Sequence, residues 1–172
     1  MKIGIVFGCF IPLHKGHLSL INKAIEENPK VIVGVCGSDN DRGKNFLPFK
    51  TRLELMKTKY KDNPNIIVVP VDDEKLGLTG KFDLESWEIW CDELFTNANI
   101  NPHKNKCVWY TGEMSYSCKI CQLYPNHAYL IADRSEINIS GTMIRKNPNK
   151  YKEYIDKDFY DYLKETKIYR GE

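Results

Sequence analysis

The sequence predicts an α/β fold with a doubly wound parallel sheet, and three observations carry that prediction. Short β-branched runs alternate with amphipathic segments along the whole chain. The runs are continuously apolar, as strands covered on both faces must be. The first of them, Ile3 to Phe7, ends at Gly8 and passes through a tight loop straight into a helical pattern.

The elements follow in order. Leu18, Leu20, Ile21, Ala24 and Ile25 recur at helical spacing, which predicts a helix from about His17 to Glu27, stopped by Asn28 and Pro29. Val31 to Cys36 reads as the second strand. Gly37 to Lys44 is a polar turn at its carboxyl end, the edge of a parallel sheet where ligands bind. Phe49 to Tyr60 is an amphipathic helix carrying Leu53, Leu55 and Met56 beside Arg52 and Lys57. Ile66 to Val71 is the third strand, Asp72 to Gly80 a loop, and Leu84 to Phe95 a helix rich in Trp and acid. Cys107 to Thr111 is the fourth strand, ending at Gly112. Ile120 to Pro125 is a weak signal, a short helix or a turn. Ala128 to Ala132 is the fifth strand. A helix begins at Ser140 within Ile139 to Lys146, and Tyr151 to Lys167 is a terminal helix broken by local turns. Such alternation describes a Rossmann-type sheet. With no repeat, low-complexity tract or linker, one domain over residues 1–172 is expected.

Composition removes several classes of function. The formal net charge is +2 with Lys and Arg spread along the chain, so nothing argues for a nucleic-acid or membrane-surface partner. No apolar run approaches a membrane span. The N-terminal run is broken by Pro12 and His14, unlike a signal peptide. Six cysteines lack the dense spacing of a secreted scaffold, so a cytoplasmic protein with reduced thiols is expected. Cys118 and Cys121 form a single C-x-x-C. Zinc would need two more ligands, for which Cys107 and His127 are conceivable at no standard spacing, so free thiols are expected there.

Two segments carry chemistry. In the first, Gly8 allows a sharp turn, Pro12 fixes the path, and His14 and His17 stand at a helix start beside free backbone N–H groups. That combination suits a polyphosphate. Alone, two histidines three apart would read as ordinary loop residues. The second segment is Ile139-Ser140-Gly141-Thr142-Met143-Ile144-Arg145. Ser140 is a good N-cap, Thr142 offers a hydroxyl, and Arg145 lies one turn on, its planar fork suited to phosphate oxygens. Alone, it would read as a capped amphipathic helix.

Together the strings G-x-F-x-P-x-H-x-G-H and I-S-x-T-x-I-R resemble the two signatures of the HIGH-superfamily nucleotidyltransferases. The form Gly-Cys-Phe-Ile-Pro-Leu looks most like nicotinamide-nucleotide adenylyltransferases. After Arg145, the string R-x-N-P-x-x-Y-x-E-Y-I resembles the adenylyltransferase domain of NadR-type proteins. So do Asp41-Arg42, Arg52-Leu53, the pair Trp87 and Trp90, and Tyr110-Thr111. The likeness spans about Lys2 to Ile155. Neither the kinase nor the DNA-binding domain that such proteins can carry is expected here, and no G-x-x-x-x-G-K-[ST] loop is present. Cys9 departs from the basic, threonine or serine residue expected at its position, and Gly112-Glu113 departs after the fourth strand.

The resemblance implies transfer of AMP from ATP to nicotinamide mononucleotide (NMN), giving NAD and pyrophosphate. It implies His14, His17 and Arg145 as the catalytic residues. The histidines would hold the ATP phosphates, His17 nearer the α-phosphate, and Arg145 and Thr142 the β- and γ-phosphates. Gly8, Phe10, Ile139 and Ser140 complete the expected ATP site. Cys9, Phe10, Arg52, Trp87 and Trp90 are expected on the NMN side, Trp87 being the first candidate to stack on the pyridine ring. On sequence alone Arg52 could also be a surface residue of its helix, and a tryptophan pair three apart on an amphipathic helix is usually core. Lys15, Asp39 and Arg42 are further candidates at the binding edge, Lys15 reading equally as a solvated lysine. Mg²⁺ would travel with ATP, with no dedicated protein cage. The expected partners are ATP and NMN, with a homo-oligomer as a candidate assembly and no nucleic acid or membrane. The alternatives are a sister enzyme (phosphopantetheine adenylyltransferase or an alcohol-phosphate cytidylyltransferase) and a non-catalytic nucleotide sensor.

Overall fold

The computed structural model describes residues 1–39, 46–132 and 137–166. Five strands, β1 (Lys2–Gly8), β2 (Lys30–Cys36), β3 (Ile66–Val71), β4 (Lys106–Thr111) and β5 (Ala128–Ile131), form one sheet in the order β3-β2-β1-β4-β5. All four pairings are parallel. The chain winds outward from β1 to β3 and then crosses back to place β4 on the other side of β1. The order therefore reverses between β1 and β4, and ligands bind outside the carboxyl ends at such a switch point.

Side-chain alternation along the strands feeds two layers. Ile3, Ile5 and Ile32 pack with Trp90, Leu94 and Phe95 of α3 (Leu84–Ala98) and with Ile120 of α4 (Met114–Leu123). Val6, Val31, Val33 and Val35 face the opposite layer. It is built from α1 (Lys15–Glu27), α2 (Phe49–Tyr60), the short α5 (Gly141–Lys146) and α6 (Lys157–Glu165). Interior strand β2 is buried almost throughout, as its continuous β-branched run predicts. Among the described residues no helix is long and apolar enough to cross a membrane.

Three elements differ from the sequence expectation. A ten-residue helix, α4, starts directly after β4, where only a weak signal over Ile120 to Pro125 was expected. It buries only Ser117 and Ile120, too few apolar positions to mark a period. Helix α3 runs three residues further, to Ala98, and closes on Asn99 in the left-handed conformation (φ 53°). The terminal segment divides into a 3-10 turn over Lys152–Tyr154 and α6, capped by the Asp156 side chain. The break has a purpose: Ile155 bridges to His14, and the Asp156 N–H donates to Leu13 O at 3.0 Å.

One buried cluster beside β4 makes stability pH-dependent. Trp109 Nε1–H donates to His127 Nδ1 at 3.0 Å, so the His127 proton sits on Nε2, which faces Pro102 O at 3.0 Å. Burial lowers the pKa of His127, and neighbouring His103 lowers it further. A depressed folded pKa means the contribution is complete above the unfolded value of about 6.5 and is lost as pH falls below it. Thermal unfolding between pH 7 and pH 5 is therefore expected to fall more steeply for the native protein than for a His127→Gln variant. Parallel curves would contradict this.

Candidate active site

The segment after β1 folds into a compact hook. Phe10 takes a left-handed backbone (φ 50°), unusual for a residue other than glycine or asparagine. Its fully buried ring stabilises that conformation. The ring lies under Gly8 and meets the edge of His17 at 5.0 Å. His14 N-caps α1, its carbonyl accepting from His17 N and Leu18 N. The His14 and His17 rings stack at 3.8 Å, 24° apart. Gly16 makes room for this, since a Cβ there would lie 3.2 Å from the His14 ring.

The second signature is hydrogen-bonded to this hook through Arg145. Arg145 Nη1 donates to Ile11 O at 2.7 Å, and Nη2 to Thr142 Oγ1 at 3.1 Å. Ser140 Oγ accepts from Met143 N at 3.2 Å, which sets the start of α5. Gly141 is needed for the approach: a Cβ would fall 2.9 Å from both Ile11 O and Arg145 Nη1. Gly141→Ala is expected to push Arg145 off Ile11 and to lower turnover by roughly a hundredfold, the scale of a displaced catalytic group. Steady-state rates beside circular dichroism check this, and an unchanged rate would contradict it.

These segments form one wall of a cavity of about 420 Å³, at the carboxyl ends of β1 and β4. That volume lies within the roughly 300–1,000 Å³ usual for small-molecule sites. Gly8, Phe10, His14, His17, Ile139, Ser140, Thr142 and Arg145 line it together. The other wall is aromatic. Phe7 meets Trp90 at 5.1 Å, Trp87 at 6.0 Å and Tyr116 at 5.7 Å, and Trp87 meets Tyr116 at 5.3 Å. Both tryptophans are more than nine-tenths buried, yet both line the cavity, as do Cys9, Asp73 and Glu113.

Three expected residues fall elsewhere. Arg52 does not line the cavity. It is fully buried, donating from Nε to Leu47 O (3.0 Å) and from Nη1 to the carbonyls of both Cys9 and Cys36 (2.7 Å for Cys36). Burial lowers its pKa, while Asp39, with an oxygen 3.9 Å away, works against that shift. Its sequence suggested a phosphate ligand or a surface residue; its place is a strut tying the hook to the end of β2. Asp39 accepts from Phe49 N at 2.6 Å, at the start of α2. Lys15 is exposed and lies over the Tyr154 ring at 5.3 Å. Arg42, with Asp41, lies outside the described residues, as does 133–136 ahead of the second signature.

Sequence reasoning missed Phe7, Asp73, Glu113 and Tyr116. Glu113 and Tyr116 follow β4 immediately, its N–H donating to Thr111 Oγ1 at 3.0 Å in the case of Glu113. The available signal was topological, because residues just past the fourth strand must face the crevice where strand order reverses. The C-x-x-C lies on α4, and His127, one conceivable zinc partner, is engaged with Trp109 and Pro102.

A sequence profile of the cytidylyltransferase-like family matches residues 5–147, spanning both signatures, the second half of β1 and all of β2 to β5. The chain belongs to this family. The chain is 27% identical over 168 residues to the trifunctional NAD biosynthesis/regulator protein NadR of Salmonella typhimurium, covering 90% of this chain and 38% of that protein. It is 30% identical over 149 residues to the phosphopantetheine adenylyltransferase of Mycoplasma capricolum, covering 85% of this chain and 96% of that enzyme. Among solved structures, NadR in complex with NR superposes with a TM-score of 0.76 at 33% identity, over 92% of this chain and 44% of that one. The chain thus spans less than half the length of the NadR proteins it matches. The NadR-type likeness read from the motifs stands, and so does the Rossmann-like nucleotidyltransferase fold.

Proposed function

We propose that this nucleotidyltransferase is an NMN adenylyltransferase, joining ATP and NMN to give NAD and pyrophosphate. One observation carries the reading: a single cavity joins a wall of imidazoles, hydroxyls and a guanidinium to a wall of aromatic rings. The first suits a triphosphate, the second a flat, positively charged pyridinium. Likeness to NadR over most of the chain supports it.

The 5′-phosphate oxygen of NMN attacks the α-phosphorus of ATP in line, and the bond to the β-bridging oxygen breaks to release pyrophosphate. The attacking oxygen is already ionised at neutral pH, so no general base is needed. The protein positions the reactants and stabilises the spreading charge. His17 donates to the α-phosphate oxygens, with His14 stacked behind it. Arg145 and Thr142 hold the β- and γ-phosphates, and Gly8 lets the backbone approach. Trp87 or Trp90 stacks on the pyridinium, with the Asp73 and Glu113 carboxylates on the same cavity. The phosphate wall offers His, Thr and Arg donors, which suit phosphate oxygens. Mg²⁺ bound through the oxygens of ATP fits beside such a wall and would neutralise charge on the triphosphate.

Trp87→Ala is expected to raise the KM for NMN by roughly tenfold, with a smaller change in the KM for ATP, since stacking on a base contributes about 1–3 kcal/mol. Equal changes in both would move the stacking role to Trp90.

A second reading is phosphopantetheine adenylyltransferase, favoured by the relative that this chain covers almost end to end. The two readings share the phosphate wall and differ in the acceptor, for which the aromatic wall favours the pyridinium.

A further inference from the structure

Two thiols on the cavity take no part in the proposed transfer. Cys9 follows β1 and Cys36 ends β2. The strands pair with Gly8 opposite Val35, so the next positions in register are Cys9 and Cys36. Paired strands lie about 4.8 Å apart, and a disulfide needs Cα atoms about 4.4–6.8 Å apart. Arg52 Nη1 binds both carbonyls, which keeps the two backbones together beyond the end of the ladder. The two thiols are in hydrogen-bond contact. Gly37 is cut away beneath them, since a Cβ there would lie 2.8 Å from the Cys9 sulfur and 3.9 Å from Arg52 Nη1. Cys9 is half-buried and Cys36 buried, so a reagent in the cavity meets Cys9 first.

We propose that Cys9 and Cys36 are a reversible oxidation site, a dithiol that hydroperoxides or small disulfides convert to a disulfide across the cavity floor. The attacking species is the thiolate of Cys9, the less buried of the two cysteines on the cavity. With hydrogen peroxide, the Cys9 thiolate attacks one oxygen, the O–O bond breaks, and hydroxide leaves as water with a proton from solvent, giving a sulfenic acid. The Cys36 sulfur then attacks the Cys9 sulfur. The S–S bond forms, and the sulfenic hydroxyl leaves as water with the Cys36 proton. The two thiols lose two electrons, and the peroxide gains them. With a small disulfide, the Cys9 thiolate displaces one thiol, and Cys36 displaces the second from the mixed disulfide. The Cys9 contact and burial raise the pKa of Cys36 well above the usual thiol range, so Cys36 stays a thiol until it meets the oxidised Cys9 sulfur. The bridge pins the hook to β2 at the cavity floor, so transfer stops until the bond is reduced.

The test uses protein carrying Cys118→Ser and Cys121→Ser, which removes the more exposed pair. It is treated with hydrogen peroxide, or with glutathione disulfide, and read by intact mass and peptide mapping. The expected result is loss of two hydrogen masses, a Cys9–Cys36 cross-linked peptide, and full reversal by dithiothreitol. In the same background, adding Cys36→Ser should leave a lasting glutathione adduct on Cys9, and adding Cys9→Ser should prevent both products. Absence of the Cys9–Cys36 peptide, or an unresolved adduct on Cys9 while Cys36 is present, overturns the proposal. So does fully bridged protein that transfers AMP as fast as reduced protein. Bridging is read by mass, so the chemistry is tested whether or not the reduced protein makes NAD.

Discussion

His17→Ala is expected to lower turnover by at least a hundred- to a thousandfold while the protein stays folded. Loss of one aligned donor to a charge that develops in the transition state costs about that much. His17 is the cleaner of the two histidines to remove. His14 is buried, caps α1 and bridges to Ile155, so its loss would disturb the hook as well as the chemistry. His17 is half-buried, its ring stacked on His14 and meeting the edge of Phe10. Single-turnover rates with ATP in excess, beside thermal unfolding, separate the two effects. A near-normal rate would remove His17 from the reaction centre.

Arg52→Met is expected to cost on the order of 3–5 kcal/mol of stability, a large share of the roughly 5–15 kcal/mol that holds a domain of this kind. Methionine fills the volume but leaves the carbonyls of Cys9, Leu47 and Cys36 without their donor. A buried acceptor left unsatisfied costs about 1–3 kcal/mol. Arg52→Lys should fall between, because an ammonium lacks the fork that reaches divergent carbonyls. Urea unfolding measures the loss. A variant of near-native stability with a raised KM for NMN would instead make Arg52 a ligand of the mononucleotide phosphate, the role its motif suggested.

That arginine shows where sequence reading stops. The strands and α1 to α3 were legible because continuous β-branched runs and helical periodicity are local signals. The grouping of Gly8, His14, His17, Ser140, Thr142 and Arg145 on one cavity wall was legible because they belong to two short strings. Arg52 is different: whether a guanidinium meets phosphate or carbonyls depends on the path of Cys9 and Leu47, which no local pattern fixes. Phe10 was expected on both the ATP and the NMN side, and its sequence gives no hint of a left-handed residue held by a buried ring. Tyr116 escaped because α4 buries so few of its residues.

The most direct measurement mixes the protein with ATP, Mg²⁺ and NMN, runs nicotinic acid mononucleotide and phosphopantetheine in parallel, and follows pyrophosphate and each coupled product. The account predicts NAD from NMN, with phosphopantetheine left unchanged. Adenylylated phosphopantetheine, with no dinucleotide from either mononucleotide, would contradict it.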